Sequence, residues 1–206
     1  MKKLFTLTLA LMVSISFAFA QYVSEGSVTL LKNQVNGFTI NIPKADSKSA
    51  TAAITEYMAE NGLVKPKTED KYTSYKAQKF ASIGDGTYDI YFKAVQKGKK
   101  KDVSSDIIFV CSLGNLNTIS SSNDNYAANN IKTFMSKFPS AVEKYMLKQK
   151  IEDLKKEIEK ANKEKAKQDK EIKKLQDKIA KANEQHNGLT KQLQDATNAL
   201  KGYSVD

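Results

Sequence analysis

Short segments with alternating apolar and polar residues occupy the first part of the chain, and each predicts a β-strand. Residues 38–43, FTINIP, alternate in the way that is typical of a half-buried strand. Residues 27–31, SVTLL, predict a strand before it, and Asn36-Gly37 predicts the turn between the two. Three further strands are predicted at residues 72–83, 87–96 and 106–113.

Helical spacing of apolar residues appears twice within this strand-rich part. The segment ADSKSATAAITEYMAENG predicts a helix that Asp46 or Ser47 caps at its start and Gly62 ends in a left-handed conformation. Residues 126–138 predict a second, short amphipathic helix that covers the sheet. Pro139 either kinks a longer helix or starts the next one, because proline cannot donate to the preceding turn.

The order of these elements predicts an α+β fold: a small antiparallel sheet with packed helices, followed by a long C-terminal coiled-coil helix. In the strand at 87–96, Tyr88, Ile90 and Phe92 share one face, which suits a sheet that is covered by helices on one side. The predicted domains are a signal peptide at 1–20, an α+β head at 21–138 and the long helix at 139–203.

The C-terminal part keeps a seven-residue apolar repeat from residue 147 to residue 203 without a slip. A 3.5-residue period sustained over eight heptads indicates a coiled coil. Positions a and d of this repeat form what we call the seam. Its predicted interface residues are Leu147, Ile151, Leu154, Ile158, Lys165, Gln168, Ile172, Leu175, Ile179, Leu189, Leu193 and Leu200.

Polar residues inside the seam and charges beside it limit how the helix can pair. Lys165 and Gln168 lower stability but can fix register and strand number. Asn187-Gly188 either breaks the helix or lies within a continuous one. In a parallel dimer none of the flanking e and g pairs has opposite charges, and two have like charges. The pairing is therefore weak, or antiparallel, or made with another helical protein.

The first twenty residues, MKKLFTLTLALMVSISFAFA, have the pattern of a secretory signal peptide. Two lysines precede an apolar run that is too short for a comfortable bilayer span. Ala18 and Ala20 supply the small residues that a signal peptidase requires, so cleavage is predicted before Gln21. The chain is therefore expected in the periplasm or outside the cell, and not spanning the membrane after cleavage.

Residues that could support catalysis or bind a cofactor are sparse. The one cysteine, Cys111, lies in an apolar run, and the one histidine, His186, lies in the tail, so a Cys/His nucleophile pair is not expected. We find no metal-ligand spacing and no glycine-rich phosphate loop. We therefore predict no enzyme and no cofactor. The strand aromatics either pack in the core or form an exposed binding platform: Tyr72, Tyr75, Phe80, Tyr88, Tyr91 and Phe92.

The formal net charge is +10, and residues 144–203 contribute 16 Lys against 10 acidic residues. Export argues against nucleic acid as the partner. A basic helix in the envelope can instead contact anionic lipid or glycan, although mixed-sign charge is also the ordinary exterior of a coiled coil.

Three segments resemble an uncharacterised family of exported bacterial proteins with a small α/β head and a Lys/Glu-rich coiled-coil tail. They are NGFTINIPKADSKSATAAITEYMAENG, TYDIYFKAVQKG and MLKQKIEDLKKEIEK. The resemblance implies this architecture and an envelope location, and it carries no activity or site residue. Together with the seam, it predicts a non-enzymatic exported binding or assembly protein, whose coiled-coil stalk presents the head. The alternative is an envelope-surface-binding module that uses the basic helix.

Overall fold

Six strands form one antiparallel sheet in the order β1-β2-β6-β5-β4-β3. The computed structural model describes residues 22–99 and 102–202, so the predicted cleavage residues Ala18, Ala20 and Gln21 lie outside the described residues. The sheet, its packed helices and the long C-terminal helix confirm the predicted α+β class. The elements are β1 Ser24–Leu30, β2 Asn33–Pro43, α1 Ser47–Glu60, β3 Lys67–Glu69, β4 Tyr72–Lys79, β5 Thr87–Lys97, β6 Ser104–Ser112, α2 Asn125–Met135 and α3 Phe138–Gly202.

The main hydrophobic core lies between one face of the sheet and the helices. Tyr88, Ile90 and Phe92 contribute to it from β5, as their alternation predicts. Phe134 of α2 is central to the aromatic packing, with ring centroids 4.9 Å from Phe80 and 5.3 Å from Phe138. Such edge-to-face pairs add to the free energy gained by burying apolar surface. Packing against the sheet therefore holds α1, α2 and the start of α3 in place.

The predicted ends of α1 are confirmed. The Asp46 carboxylate accepts a hydrogen bond from the backbone N–H of Ser49 at 2.9 Å, which satisfies one of the free donors at the start of the helix. Gly62 follows the C-terminal cap with φ +88, a left-handed conformation that glycine adopts without steric cost.

The turn predicted at Asn36-Gly37 is wrong, because both residues lie inside β2. The β1–β2 turn is formed by Leu31 and Lys32, which have φ 49 and φ 69, as a two-residue hairpin turn requires. This register extends the strand pairing from Ser24↔Thr39 to Leu30↔Asn33. The longer ladder of hydrogen bonds and side-chain pairs outweighs the local preference of Asn-Gly for a turn.

The strand predicted at 72–83 is too long. β4 ends at Lys79, and a bulge interrupts its pairing with β5, with Ala77 at φ 51. Phe80 and Ile83, the apolar residues that suggested a longer strand, form a buried turn in which the Ile83 N–H donates to the Phe80 carbonyl at 2.9 Å. The short strand β3 was not predicted, because three mostly exposed residues carry no apolar alternation.

The hairpin of β1 and β2 curls over the second face of the sheet. Leu30 is fully buried in a small cluster with Tyr72, Tyr91 and Val110, and the Tyr72 hydroxyl donates to the Thr29 carbonyl at 2.5 Å. β1 and β4 are four strand spacings apart in the sheet order, roughly 19 Å if the sheet were flat. A tyrosine side chain cannot bridge that distance, so the sheet bends toward this face.

The end of α2 differs from the predicted end of the second helix. α2 ends at Met135, and Phe138 begins α3. Pro139 lies in the first turn of α3, where backbone N–H groups have no acceptor within the helix, so the N–H that proline lacks costs no hydrogen bond. Of the two predicted roles for Pro139, the structure shows the one that starts the next helix.

Contacts divide the chain after Lys148 into two compact units, Met1–Lys148 and Gln149–Asp206. The first unit extends past residue 138, because Val142 is buried in the main core and Tyr145 and Met146 pack against it. In the part of the chain that the structure describes, no helix combines the length and the hydropathy needed to cross a bilayer.

Candidate interaction surface

The long helix α3 runs without interruption from Phe138 to Gly202. Its sequence is rich in Lys, Glu, Ala, Gln and Leu, which favour helix, and Gly188 is the single glycine between Pro139 and Gly202. The helix continues through Asn187-Gly188, so the continuous helix is observed and the predicted alternative of a break is not.

Charged side chains support α3 along its own surface. Lys163 lies 2.6 Å from Glu159, four residues before it. Glu152 lies 2.8 Å from Lys155, three residues on. Exposed pairs of this kind each stabilise a helix by about 0.2–0.5 kcal/mol. These ion pairs within α3 therefore stabilise its helical conformation without a partner chain.

The seam presents its apolar side chains to solvent along α3. All twelve predicted interface residues lie on this helix and all are exposed, including the polar Lys165 and Gln168. Among the ten apolar members the exposed fraction ranges from 42% for Leu154 to 71% for Leu200.

The first turns of α3 contact the head through a different set of heptad positions. Phe138 and Tyr145 occupy position b, Val142 occupies position f and Met146 occupies position c. The seam uses positions a and d, beginning at Leu147. Packing against the main core therefore does not use the seam positions of the helix.

The exposed aromatic platform that was one predicted alternative is not formed. Tyr72, Tyr75 and Phe80 are buried, as are the other three aromatics of the set, Tyr88, Tyr91 and Phe92. Tyr72 and Tyr91 belong to the cluster beneath the curled hairpin, and the other four belong to the main core. They act as packing residues, because both faces of the sheet are covered where they lie.

A polar cluster that the sequence did not reveal joins β1 to α2. The Glu25 carboxylate accepts hydrogen bonds from the Ser121 backbone N–H at 2.7 Å and from the Ser121 hydroxyl at 2.5 Å. The Lys132 ammonium lies 2.9 Å from both Glu25 and the Ser121 hydroxyl. Burial alone would raise the pKa of Glu25, but these hydrogen bonds outweigh it and lower the pKa below its ordinary 4.5.

This cluster resembles a Ser/Lys catalytic pair in its residue types only. A lysine that activates a serine must accept the hydroxyl proton through a free lone pair. Here the Lys132 ammonium donates to both Ser121 and Glu25, so it has no lone pair to offer. The cluster therefore ties a strand to a helix. Glu25 and Ser121 are 96 residues apart, so no local sequence pattern could have identified it.

Cys111 is fully buried in the main core. Burial raises the pKa of its thiol far above the ordinary range, which keeps it protonated and a poor nucleophile. Among the described residues, no group of three or more His, Cys, Asp or Glu side chains is arranged to hold a metal ion.

A groove of about 630 Å³ lies between α1 and the segment from Ser136 to Lys148. Glu56 and Glu60 line one side, and Lys137, Lys144 and Lys148 line the other. Lys148 lies 2.8 Å from Glu56, so a salt bridge crosses the groove. With its charges partly paired internally, the groove does not indicate a particular ligand.

Comparison of the chain with protein-family models, with curated proteins and with solved structures gives no match.

Proposed function

We propose that this chain is a non-enzymatic exported binding or assembly protein. In this proposal the seam of α3 associates with a second helix, and the α+β head is the part that is presented to a ligand or partner. The observation that carries the proposal is the row of ten large apolar side chains, each at least 42% exposed, at positions a and d of a single helix.

The energetics of burial support association through the seam. Burying apolar surface contributes about 25 cal/mol per Å², and coiled-coil packing removes much of the exposed surface of every a and d side chain. Ten such residues on each helix supply a free energy that can exceed the entropic cost of association. A solitary solvent-exposed helix gains nothing from a row of Leu and Ile side chains kept on one face.

The proposed envelope location rests on the signal-peptide pattern and on the resemblance to exported proteins. Export can be tested by N-terminal sequencing of the protein recovered from the envelope or the medium. We expect the recovered chain to begin at Gln21. A chain that keeps Met1 and stays in the cytoplasm would contradict the proposed location.

Two variants of the chain from residue 21 test the role of the seam. Ile172→Lys with Leu175→Lys places two charges in the seam. Ala166→Lys with Ala180→Lys adds the same two charges at position b, outside the seam, and is the matched control. By sedimentation velocity we expect the seam variant to be monomeric and the control to associate like the wild type. Equal association of the two variants would show that the seam is not the interface.

A second candidate function follows from the basic character of the tail. Residues 144–203 carry 16 Lys against 10 acidic residues, so α3 can contact anionic lipid or glycan by screened attraction. Vesicles with and without anionic lipid test this candidate. Binding to anionic vesicles that high salt abolishes would favour it, and absence of binding at low salt would exclude it for lipid.

A further inference from the structure

The charges that flank the seam are distributed unequally along α3. Positions e and g lie beside the seam and face a partner helix in a coiled coil. Charged flanking residues end at Lys178, just past the middle of the seam, and every flanking residue from Asn183 to Ala199 is uncharged. The charged set is Lys148, Lys150, Lys155, Glu157, Glu164, Asp169, Glu171 and Lys178.

A parallel pair of these helices would bring the charged half of one copy against the charged half of the other. Lys150 would then face Lys155 of the second copy, and Glu164 would face Asp169. The three remaining flanking pairs up to Asn183 each include an uncharged residue. The parallel arrangement therefore has repulsion in this region and no compensating attraction.

We propose that α3 pairs with a second copy of itself in an antiparallel coiled coil, with Leu147 of one copy opposite Leu200 of the other. This inference rests on the proposed function and specifies its partner and geometry. In an antiparallel pair, position g faces g and position e faces e. Glu171 then faces Lys178 of the second copy, and the symmetry of the dimer forms this attractive pair twice.

The remaining flanking pairs in this register each contain an uncharged residue. Glu164 faces Gln185, Glu157 faces Gln192 and Lys155 faces Thr190 of the second copy. Apart from the two Glu171–Lys178 contacts, each charged flanking residue thus faces an uncharged residue of the other copy. Like charges do not face each other anywhere between Leu147 and Leu200.

Like charges also disfavour the neighbouring registers. Sliding one helix by a heptad in one direction places Glu171 against Glu171 and Asp169 against Asp169 across the two-fold axis, and these repulsions oppose the two Glu164–Lys178 attractions that the same register forms. Sliding it in the other direction places Lys178 against Lys178. The proposed register avoids both conflicts and pairs the whole seam.

The seam layers are compatible with the same register. Leu154 faces Leu193, and Ile172 faces Leu175 of the second copy near the centre. Lys165 faces Ala182, a small residue beside which the lysine stem can extend toward solvent.

Charge reversal at the proposed contact tests orientation and register. Glu171→Lys places lysine against Lys178 twice, and Lys178→Glu places glutamate against Glu171 twice. We expect each variant to weaken dimerisation about tenfold at low salt, as expected for two exposed ion pairs turned into repulsions. Mixing the two variants restores both attractions, so the mixture should dimerise like the wild type. Sedimentation equilibrium measures each dissociation constant.

Glu164→Lys is the matched control, because it makes the same charge change at the same heptad position. In the antiparallel register it faces Gln185, so the dissociation constant should stay unchanged. In a parallel dimer it would face Asp169 and tighten association, while Glu171→Lys, facing Gln176, would have no effect. Mixing Glu164→Lys with Lys178→Glu should leave one repulsive pair and bind more weakly than the first mixture, although the net charges are equal.

The outcomes separate this inference from the function on which it rests. Tightening by Glu164→Lys without weakening by Glu171→Lys would overturn the antiparallel arrangement and leave self-association standing. A wild-type chain that stays monomeric at every concentration would overturn self-association and the antiparallel arrangement with it.

Discussion

At the scale of single residues, two glycines that pair across the β1–β2 hairpin have very different surroundings. Gly26 lies opposite Gly37 in the strand register. A Cβ at Gly37 would lie 2.6 Å from Val28 Cγ2 and 3.2 Å from the Phe109 carbonyl oxygen. At Gly26 an added Cβ would meet nothing within 4 Å. The hairpin can therefore approach β6 only because residue 37 has no side chain.

We predict that Gly37→Ala lowers the free energy of unfolding by about 1–3 kcal/mol, the usual cost of overpacking. Gly26→Ala is the matched control, with an expected change of less than about 0.5 kcal/mol because its site is open. Urea titration of both variants measures the difference. Equal losses would mean that the hairpin does not pack as closely on β6 as the structure shows.

The Glu25 cluster predicts a pH dependence of stability. Because folding lowers the pKa of Glu25, its contribution is complete above its ordinary value of 4.5 and is lost as pH falls through the lower folded value. Glu25→Gln should cost about 1 kcal/mol at neutral pH. The difference from the wild type should shrink in unfolding titrations at progressively lower pH below 4.5. A difference that stays constant over this range would exclude the proposed titration.

At the scale of elements, α3 contains a glycine, Gly188, at a position where a larger residue would also fit. Gly188 lies inside the helix, and an added Cβ would meet no atom within 4 Å. Glycine inside a helix costs about 1 kcal/mol relative to alanine. We predict that Gly188→Ala increases the helix content of the chain and raises the temperature at which α3 unfolds, both measured by circular dichroism. Loss of helix content would indicate that residue 188 is not helical in solution.

The sequence predicted the elements whose periodicity is long and consistent. Asp46 and Gly62 identified the ends of α1, and the alternation in β5 identified its core face. The Leu31-Lys32 turn could not be predicted, because its location depends on pairing between β1 and β2 and not on local turn preference. The small cluster on the second face of the sheet could not be predicted for a similar reason, because Leu30 and Tyr72 are in contact only where the sheet bends.

The residues of the seam could be predicted from the sequence more fully than the fold of the head could. The seam repeats every seven residues within one helix, so its members share a face without any tertiary information. The Glu25, Ser121 and Lys132 cluster is the opposite case, since strand pairing and helix packing bring together residues that are far apart in the chain. The proposed antiparallel orientation depends on flanking charges that are spread along α3 and not on any single heptad.

At the scale of the whole molecule, one helix carries two separate sets of apolar residues. Its first turns complete the main core through Phe138 and Val142, and its seam begins at Leu147 on other heptad positions.

Substitutions in the seam beyond Lys148 are therefore expected to change association without unfolding the head. In Ile172→Lys with Leu175→Lys, the urea midpoint of the head should match that of the control with Ala166→Lys and Ala180→Lys, measured under conditions in which both variants are monomeric. A lower midpoint for the seam variant would show that the tail contributes to the stability of the head.

The most direct test of the account is the absolute mass in solution of the chain from residue 21, measured by light scattering over a wide range of concentration. The account predicts twice the monomer mass at high concentration and a fall toward the monomer mass on dilution. A monomer mass at every concentration would contradict self-association through the seam.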